Sequence, residues 1–193
     1  MALTMASCKV LLHSHSNKQN NKEYKGILIH SDGSITEGHF NNNSLKGNCR
    51  QVFSNMDVYE GCIDNGLFNG YGKYLKADGS SYVGNWKNGK PNGEGIESIV
   101  GKLFYKGDFV MGAKTGKGQI YFENGNEYFG QFLNGKPEGK GVWMNPEGER
   151  YEGEWKNGLK DGKGVIWYSD GQRYEGNFAN GYKEGFGKQF WYI

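Results

Sequence analysis

The chain has 193 residues, a net charge of +2 at pH 7 and three cysteines. This near balance of charge excludes the strongly one-signed surface that recruits nucleic acid or anionic lipid. The odd, unpatterned cysteines exclude a disulfide framework and favour a reducing compartment. No apolar stretch approaches the length of a membrane-spanning helix, so we expect none.

Residues 1–22 stand apart from the rest of the chain. They contain the apolar run Val10-Leu11-Leu12 and no acidic residue before Glu23. An acid-poor start is typical of organellar transit peptides, but this one lacks arginine. Two interpretations stay open: a solvated tail or linker, or a strand whose residues 10–12 pair with a partner or with the first edge of the following structure.

A 23-residue interval organises everything after this segment. A tyrosine recurs at that interval, with a glycine two residues later and a bulky apolar residue four residues later. The tyrosines are Tyr59, Tyr82, Tyr105, Tyr128, Tyr151 and Tyr174. A second glycine pair follows eleven and thirteen residues after each start, as at Gly162 and Gly164. Such a register is typical of a repeat array, in which each unit presents the same face to its neighbours.

The interval also sets the expected domain boundaries. We predict an N-terminal extension at residues 1–22 and one array over residues 23–193. The array opens with a half-unit at 24–35, and full units start near residues 36, 59, 82, 105, 128, 151 and 174.

Spacing within a unit predicts two strands. Tyr151, Gly153 and Trp155 alternate with Glu152 and Glu154, which is the period of a strand with one covered face. The stretch 162–168 is rich in β-branched and aromatic residues and is a second strand. Asp170-Gly171 and Asn157-Gly158 then predict hairpins, since residues of these types tolerate positive φ at both turn positions. The sequence therefore predicts an all-β fold, a single elongated antiparallel meander of tandem hairpins.

The residues of one unit resemble a known family. The run Tyr151-Glu-Gly-Glu-Trp-Lys-Asn-Gly158, followed by Gly162-Lys-Gly164, is similar to the MORN repeat (membrane occupation and recognition nexus). One departure is that the family often has histidine before the first glycine of that pair. This chain has Lys46, Asn69, Asn92, Thr115, Glu138, Asp161 and Glu184 there. The resemblance implies a twisted, slightly grooved sheet without chemistry of its own. It also implies that a helical segment of a partner protein can lie along the groove.

Three contact surfaces are predicted. Aromatic rings on the glycine-bearing face are the expected groove floor: Tyr82, Trp86, Tyr105, Phe109, Tyr128, Phe132, Tyr151, Trp155, Tyr174 and Phe178. Alternation places an apolar patch on the opposite face: Tyr121, Phe129, Met144, Trp167 and Phe190. An uncharged final strand is expected to pair with a second copy or another subunit: Phe190, Trp191, Tyr192 and Ile193.

Residues that support catalysis or ligand binding are scarce. Gly158 to Lys163 is one residue short of a phosphate-binding loop and lacks the following Ser or Thr. His13 and His15 have no accompanying cluster of metal ligands. We expect Glu152, Glu154 and Glu175 to be solvated on one face of an open sheet. The sequence thus predicts no catalytic residue, no metal and no cofactor.

The predicted function is a scaffold that holds partner proteins, with no nucleic acid and no membrane as ligands. Resemblance to MORN-repeat scaffold and radial-spoke-head proteins favours a cytoskeletal, ciliary or axonemal assembly in the cytoplasm. One alternative is a non-catalytic subunit of a large enzyme complex, in an organelle given the acid-poor first residues. A peripheral membrane adaptor is the third, although no basic face supports it.

Overall fold

The computed structural model describes residues 9–18, 21–42 and 44–191, with side chains from residue 23 onward. Two compact units divide the chain, Met1–Gly93 and Glu94–Ile193. The regular structure of the described residues is β-strand throughout. The strands are β1 (Lys9–Lys18), β2 (Asn21–Ile29), β3 (Ile35–Asn41), β4 (Ser44–Val52), β5 (Val58–Asp64), β6 (Leu67–Leu75), β7 (Ser81–Lys87), β8 (Lys90–Ile99), β9 (Leu103–Val110), β10 (Ala113–Phe122), β11 (Glu127–Leu133), β12 (Lys136–Met144), β13 (Arg150–Lys156), β14 (Leu159–Trp167), β15 (Arg173–Ala179) and β16 (Tyr182–Phe190).

Within each unit the strands are hydrogen-bonded in the order of the chain, each antiparallel to the next. In the first unit this holds from β1 to β7, and in the second from β9 to β16. The predicted all-β meander of hairpin repeats is therefore confirmed.

Residues 10–12 pair with the first edge of the array. Val10 lies opposite Leu28, Leu11 opposite Ile27 and Leu12 opposite Gly26. Of the two interpretations of this segment, the pairing strand is the one observed, and the free tail is wrong for residues 9–18. The side chains of His13 and His15 lie outside the described part of the structure.

Glycines pair with glycines at every strand junction of the second unit. One row crosses it from β9 to β16: Gly107, Gly118, Gly130, Gly141, Gly153, Gly164, Gly176 and Gly187. Residues directly opposite each other in a sheet carry their side chains on the same side. This row leaves a strip of backbone without side chains, and the tyrosine rings occupy that strip on one face.

The two ends of each hairpin use different turns. At the Asn-Gly ends both residues have positive φ, as at Asn157 (52°) and Gly158 (86°), which is the predicted two-residue turn. At the other ends the predicted hairpins also form, but only the glycine has positive φ, as at Gly79 (87°). There the Gly79 N–H donates to Lys76 O (2.9 Å) and the Lys76 N–H to Ser80 O (2.8 Å). These bonds form a three-residue loop, and Asp78 accepts the Ser80 N–H at 2.8 Å.

Each even-numbered strand of the second unit is bulged near its first repeat glycine. The register of β11 with β12 jumps between Gly130 and Phe132, which face Gly141 and Pro137. Gly139 lies in this bulge with φ of 68°, and Gly116 and Gly162 have equivalent positive φ. The two glycines of each pair thus have separate roles. The first permits the bulge, and the second gives room to a tyrosine ring.

Candidate functional site

The predicted groove residues form the core of the protein instead of an open floor. All ten side chains are buried, with no more than 8% of any one exposed. In the second unit their rings form one continuous edge-to-face ladder. Tyr128, for example, lies 5.1 Å from Phe132 of its own strand and 5.0 Å from Trp155 of the next repeat. Because the rings contact each other edge to face, little of this surface remains for a partner.

Each ladder tyrosine is fixed by its hydroxyl and by the glycine row. Tyr128 donates to the carbonyl of Gln131 at 2.9 Å, and Tyr151 donates to that of Glu154 at 2.9 Å. A Cβ atom built on Gly164 would lie 2.5 Å from the Tyr151 hydroxyl oxygen, inside van der Waals contact. Burial raises the pKa of Tyr151 to about 12, and Glu154 adds to the shift. Burial also raises the pKa of Tyr59, Tyr105 and Tyr128.

In several hairpins one residue covers the tyrosine from the side. This position follows the Asn-Gly turn, and in the first unit it holds Phe68, which stacks on Tyr59 at 3.6 Å. In the second unit Lys160 places its Nζ 5.0 Å from the centres of both the Trp143 and Tyr151 rings. Burial lowers the pKa of Lys160. These covering side chains explain why the rings are buried although they lie on one sheet.

The face opposite the ladder carries the predicted apolar patch. We call this surface of the second unit, from β10 to β16, the open face. Register brings Tyr121, Met144, Trp167 and Phe190 into one row across it, and Phe129 lies in the adjacent row. Phe129 is 59% exposed, and Trp167 is half-buried. Alternation along the strands therefore predicted correctly where these five side chains lie.

Arginines alternate with the aromatic residues of this row. Arg150 and Arg173 are the two strand partners of Trp167. The Arg150 guanidinium lies 4.6 Å from the Trp167 ring centre, and that of Arg173 lies 4.2 Å from the Phe190 ring centre. Each arginine also pairs with the glutamate two residues later on its strand, Glu152 or Glu175. Each arginine therefore stacks on an aromatic ring and is balanced by a glutamate, so the row carries little net charge.

Two shallow concavities lie on the open face. One, of about 650 Å³, spans β11 to β14 between Phe129 and Trp167. The other, of about 560 Å³, spans β14 to β16 and ends at Phe186, which is 97% exposed. Lys163 and Val165 line both, so the concavities are continuous. They lie on the face opposite the ladder, for which the partner groove was predicted.

The predicted terminal edge is described only in part. Phe190 is 40% exposed and Trp191 is 69% exposed, while Tyr192 and Ile193 lie outside the described residues. Most of β16 is exposed, and it pairs with β15 through Arg173 to Ala179. Pairing of this edge with another subunit stays a prediction.

Within the described part of the chain, no group of three or more His, Cys, Asp or Glu residues is arranged to hold a metal ion. No helix long and apolar enough to cross a membrane is found among the same residues.

Two side-chain roles were missed by sequence reasoning. Gln131 and Glu154 accept the backbone N–H groups that the bulges release, those of Lys140 (2.9 Å) and Lys163 (3.0 Å). Glu138 accepts the N–H of Asn157, at the turn of the next hairpin, at 2.9 Å. The family often has histidine at the position of Glu138. In this chain acids recur there at Asp161 and Glu184, and this recurrence was the sequence signal for a side chain that accepts an N–H group of the next turn.

This architecture defines a class, the repeat proteins that stack one antiparallel hairpin per unit. A family model described as MORN repeat matches residues 59–81, 82–99, 105–127, 128–150, 151–173 and 174–192. These segments make up more than half of the chain, and the protein belongs to the MORN-repeat family.

Solved structures with a similar fold include two domains. One is the TCP domain of SAS-4 (dCPAP) of Drosophila melanogaster, in complex with a proline-rich motif of Ana2 (dSTIL). It is 15% identical, with a TM-score of 0.48 over 84% of this chain and 94% of that chain. The other is the wild-type TCP10 domain of Danio rerio CPAP, 10% identical, with a TM-score of 0.42 over 88% and 94% of the chains. No curated protein matches this chain.

Proposed function

We propose that this chain is a non-catalytic MORN-repeat scaffold that binds partner proteins on the open face of its second unit. The observation that carries the proposal is the exposed apolar row beside two continuous concavities. Phe129, Trp167 and Phe186 lie on one sheet face. Together they form a larger apolar surface than the isolated apolar side chains that most protein surfaces carry. Aromatic residues in such a setting are the usual anchors of protein interfaces.

The close packing of the ladder face is a second argument for this assignment. Its rings are already packed against each other and against the covering residues Phe68 and Lys160. A partner segment would have to displace that core. The ladder therefore supplies stability, and we assign binding to the face that the core leaves free.

The test uses the full chain and two matched variants. Phe129→Ser with Trp167→Ser removes two anchors of the open face, and Leu159→Ser removes an exposed apolar side chain near a hairpin turn. We expect the double variant to capture at least about fivefold less partner than the wild type, since anchor residues typically contribute more than 1 kcal/mol each. Leu159→Ser should capture as much as the wild type.

Crosslinking shows which face the partner occupies. We expect crosslinks from the partner to Lys117, Lys140 and Lys163 on the open face. We expect few to Lys114 and Lys183, which follow hairpin turns and lie over tyrosine rings of the ladder face. Undiminished capture by the double variant, or crosslinks confined to the turn lysines, would refute the assignment.

The assembly that we propose is cytoskeletal or axonemal, on the resemblance to scaffold proteins of that kind. β16, with Phe190 and Trp191 exposed, is the second contact that we propose, for another subunit. Imaging of a tagged full chain tests the location. Signal confined to an organelle would contradict this assembly and favour a subunit of an organellar enzyme complex.

A further inference from the structure

Three lysines form a row along the open face. Lys117, Lys140 and Lys163 occupy the same place in three consecutive hairpins, beside the bulge of β10, β12 and β14. All three side chains are exposed. None of them takes part in an ion pair that the structure records among the described residues.

The acidic residues beside this row are already engaged. Glu152 pairs with Arg150, and Glu175 pairs with Arg173 at 3.9 Å. Glu154 is the strand partner of Lys140, but its Oε2 accepts the backbone N–H of Lys163 at 3.0 Å. A backbone hydrogen bond does not remove the charge of a carboxylate, so Glu154 beside Lys140 and Asp108 beside Lys117 stay negative. Among the described residues that line the two concavities, Lys140, Lys163 and Lys188 still outnumber Glu154, the lining carboxylate without a recorded arginine partner.

An apolar strip runs next to the lysines. Val142 and Val165 are at equivalent places in consecutive hairpins and line the concavities, with Phe129 at one end and Phe186 at the other. A ligand that lies across the strands would thus contact a lysine in each of the three repeats and a valine in two of them, while Gln119 takes the valine position beside Lys117. This alternation calls for a segment in which acidic and apolar side chains also alternate regularly.

The spacing of the lysines selects the conformation of such a segment. Adjacent strands lie about 4.8 Å apart, so lysines two strands apart are about 9.6 Å apart. Three residues of polyproline II rise about 9.3 Å and complete one turn, which returns the fourth side chain to the same side. Seven residues of an α-helix rise about 10.5 Å. Three residues of a β-strand rise about 10 Å but end on the opposite side.

We infer that the open face binds an acidic segment of a partner protein in the polyproline II conformation, with Asp or Glu at every third position. The acidic side chains pair with Lys117, Lys140 and Lys163, and the intervening residues lie on Val142 and Val165. The segment runs across the strands from β10 toward β16. This inference rests on the proposed function and gives the chemistry of the partner.

Direct binding of synthetic peptides tests the inference. The probe is a fluorescein-labelled peptide of four Glu-Pro-Pro triplets, measured by fluorescence anisotropy with the full chain at about 0.15 M salt. Its matched control has the same composition with the four glutamates adjacent. We expect the triplet peptide to bind at least about fivefold more tightly than the clustered one, because only its charges match the lysine spacing.

Two triple variants locate the binding. Lys117→Gln with Lys140→Gln and Lys163→Gln should weaken binding of the triplet peptide about tenfold, as expected for three partly exposed ion pairs. The charge-matched control replaces Lys102, Lys136 and Lys156 by Gln and should change the affinity less than twofold. Both variants alter exposed side chains, and equal urea midpoints will show that neither changes the fold.

Several outcomes would overturn the inference. Equal binding of the two peptides, or equal losses in the two triple variants, would mean simple charge attraction. Tighter binding of a helical peptide with Glu at every seventh position would identify a helix as the ligand. A single-stranded oligonucleotide that displaces the peptide at equal charge would point to nucleic acid. Absence of peptide binding, with partner capture still lost in Phe129→Ser/Trp167→Ser, would refute this inference and leave the proposed function standing.

Discussion

At the scale of the residue, the core depends on glycines that face tyrosine rings. Gly164 illustrates the constraint, because its backbone φ is ordinary and space alone excludes a side chain. The Cβ of an alanine there would lie 2.5 Å from both the hydroxyl oxygen and the Cε2 atom of Tyr151. The Tyr151 hydroxyl is held by the Glu154 carbonyl, so the ring cannot withdraw without loss of that bond.

Gly164→Ala is therefore expected to destabilise the protein by about 3 kcal/mol or more, the upper range for overpacking a core. Urea denaturation followed by tryptophan fluorescence gives the free energy of unfolding. Gly148→Ala is the control: its Cβ meets nothing within 4 Å, so only the strain at φ of 89° applies. That strain costs about 1 kcal/mol. Similar losses of unfolding free energy in both variants would show that the Tyr151 ring moves aside at little cost.

The buried hydroxyls also predict how stability depends on pH. In the folded protein the pKa of Tyr151 is raised by burial to about 12, and that of Tyr74 is raised to about 12 by burial and by its hydrogen bond to Asp57. An unfolded tyrosine has a pKa of about 10. The unfolded chain thus loses these protons first, so the stability they contribute is complete below pH 10 and is lost between pH 10 and about 12.

We expect the free energy of unfolding to fall as the pH rises above 10, and to fall less steeply in Tyr151→Phe. The difference in slope is at most about 1.4 kcal/mol per pH unit, the value for one proton. Urea denaturation from pH 8 to pH 11.5 measures both slopes. Identical slopes would mean that the Tyr151 hydroxyl ionises as readily in the folded protein as in the unfolded chain.

At the scale of the element, one hairpin turn has a different residue at the position where the others have asparagine. The β9–β10 turn has Met111 where six other turns have asparagine, and Met111 takes a similar φ of 50°. Asparagine tolerates this left-handed conformation much better than methionine. Met111 is half exposed, so little burial is lost when it is replaced.

Met111→Asn should therefore stabilise the protein by about 0.5–1 kcal/mol, as favourable turn substitutions do. The reverse change, Asn134→Met in the β11–β12 turn, should destabilise it by a similar amount. Thermal unfolding of the two variants and the wild type at one protein concentration measures both effects. A lower melting temperature for Met111→Asn would show that contacts of the Met111 side chain outweigh the backbone strain.

The elements also show what the sequence could and could not predict. The 23-residue period and the alternation along each strand were sufficient to predict the strands, the recurring ladder residues and the side of the sheet on which Phe129 and Trp167 lie. The depth of each face was not predictable in the same way, because each concavity is formed by residues of several neighbouring strands at once. A glycine at a bulge and a glycine under a ring look alike in the sequence. The sequence therefore did not show that the concavities of the second unit lie opposite the ladder.

At the scale of the whole molecule, stability within the second unit should be a sum of contacts between neighbouring repeats. The ladder joins each tyrosine to one ring of its own repeat and one of the next, as Tyr151 joins Trp155 (5.3 Å) and Phe178 (5.0 Å). Rings separated by several strands share no partner. Coupling between two substitutions should then depend on how many repeats separate them.

Double-mutant cycles test this directly. For the adjacent pair Tyr128 and Trp155, whose ring centres are 5.0 Å apart, the losses on changing each to Leu should differ from additivity by at least about 0.5 kcal/mol. For Tyr105 on β9 and Phe178 on β15, six strands or about 29 Å apart, the losses should add within about 0.5 kcal/mol. Unfolding free energies of the single and double variants measure both terms. Strong coupling in the distant pair would mean that the unit folds around one cooperative core, and the ladder would then not be a chain of independent neighbour contacts.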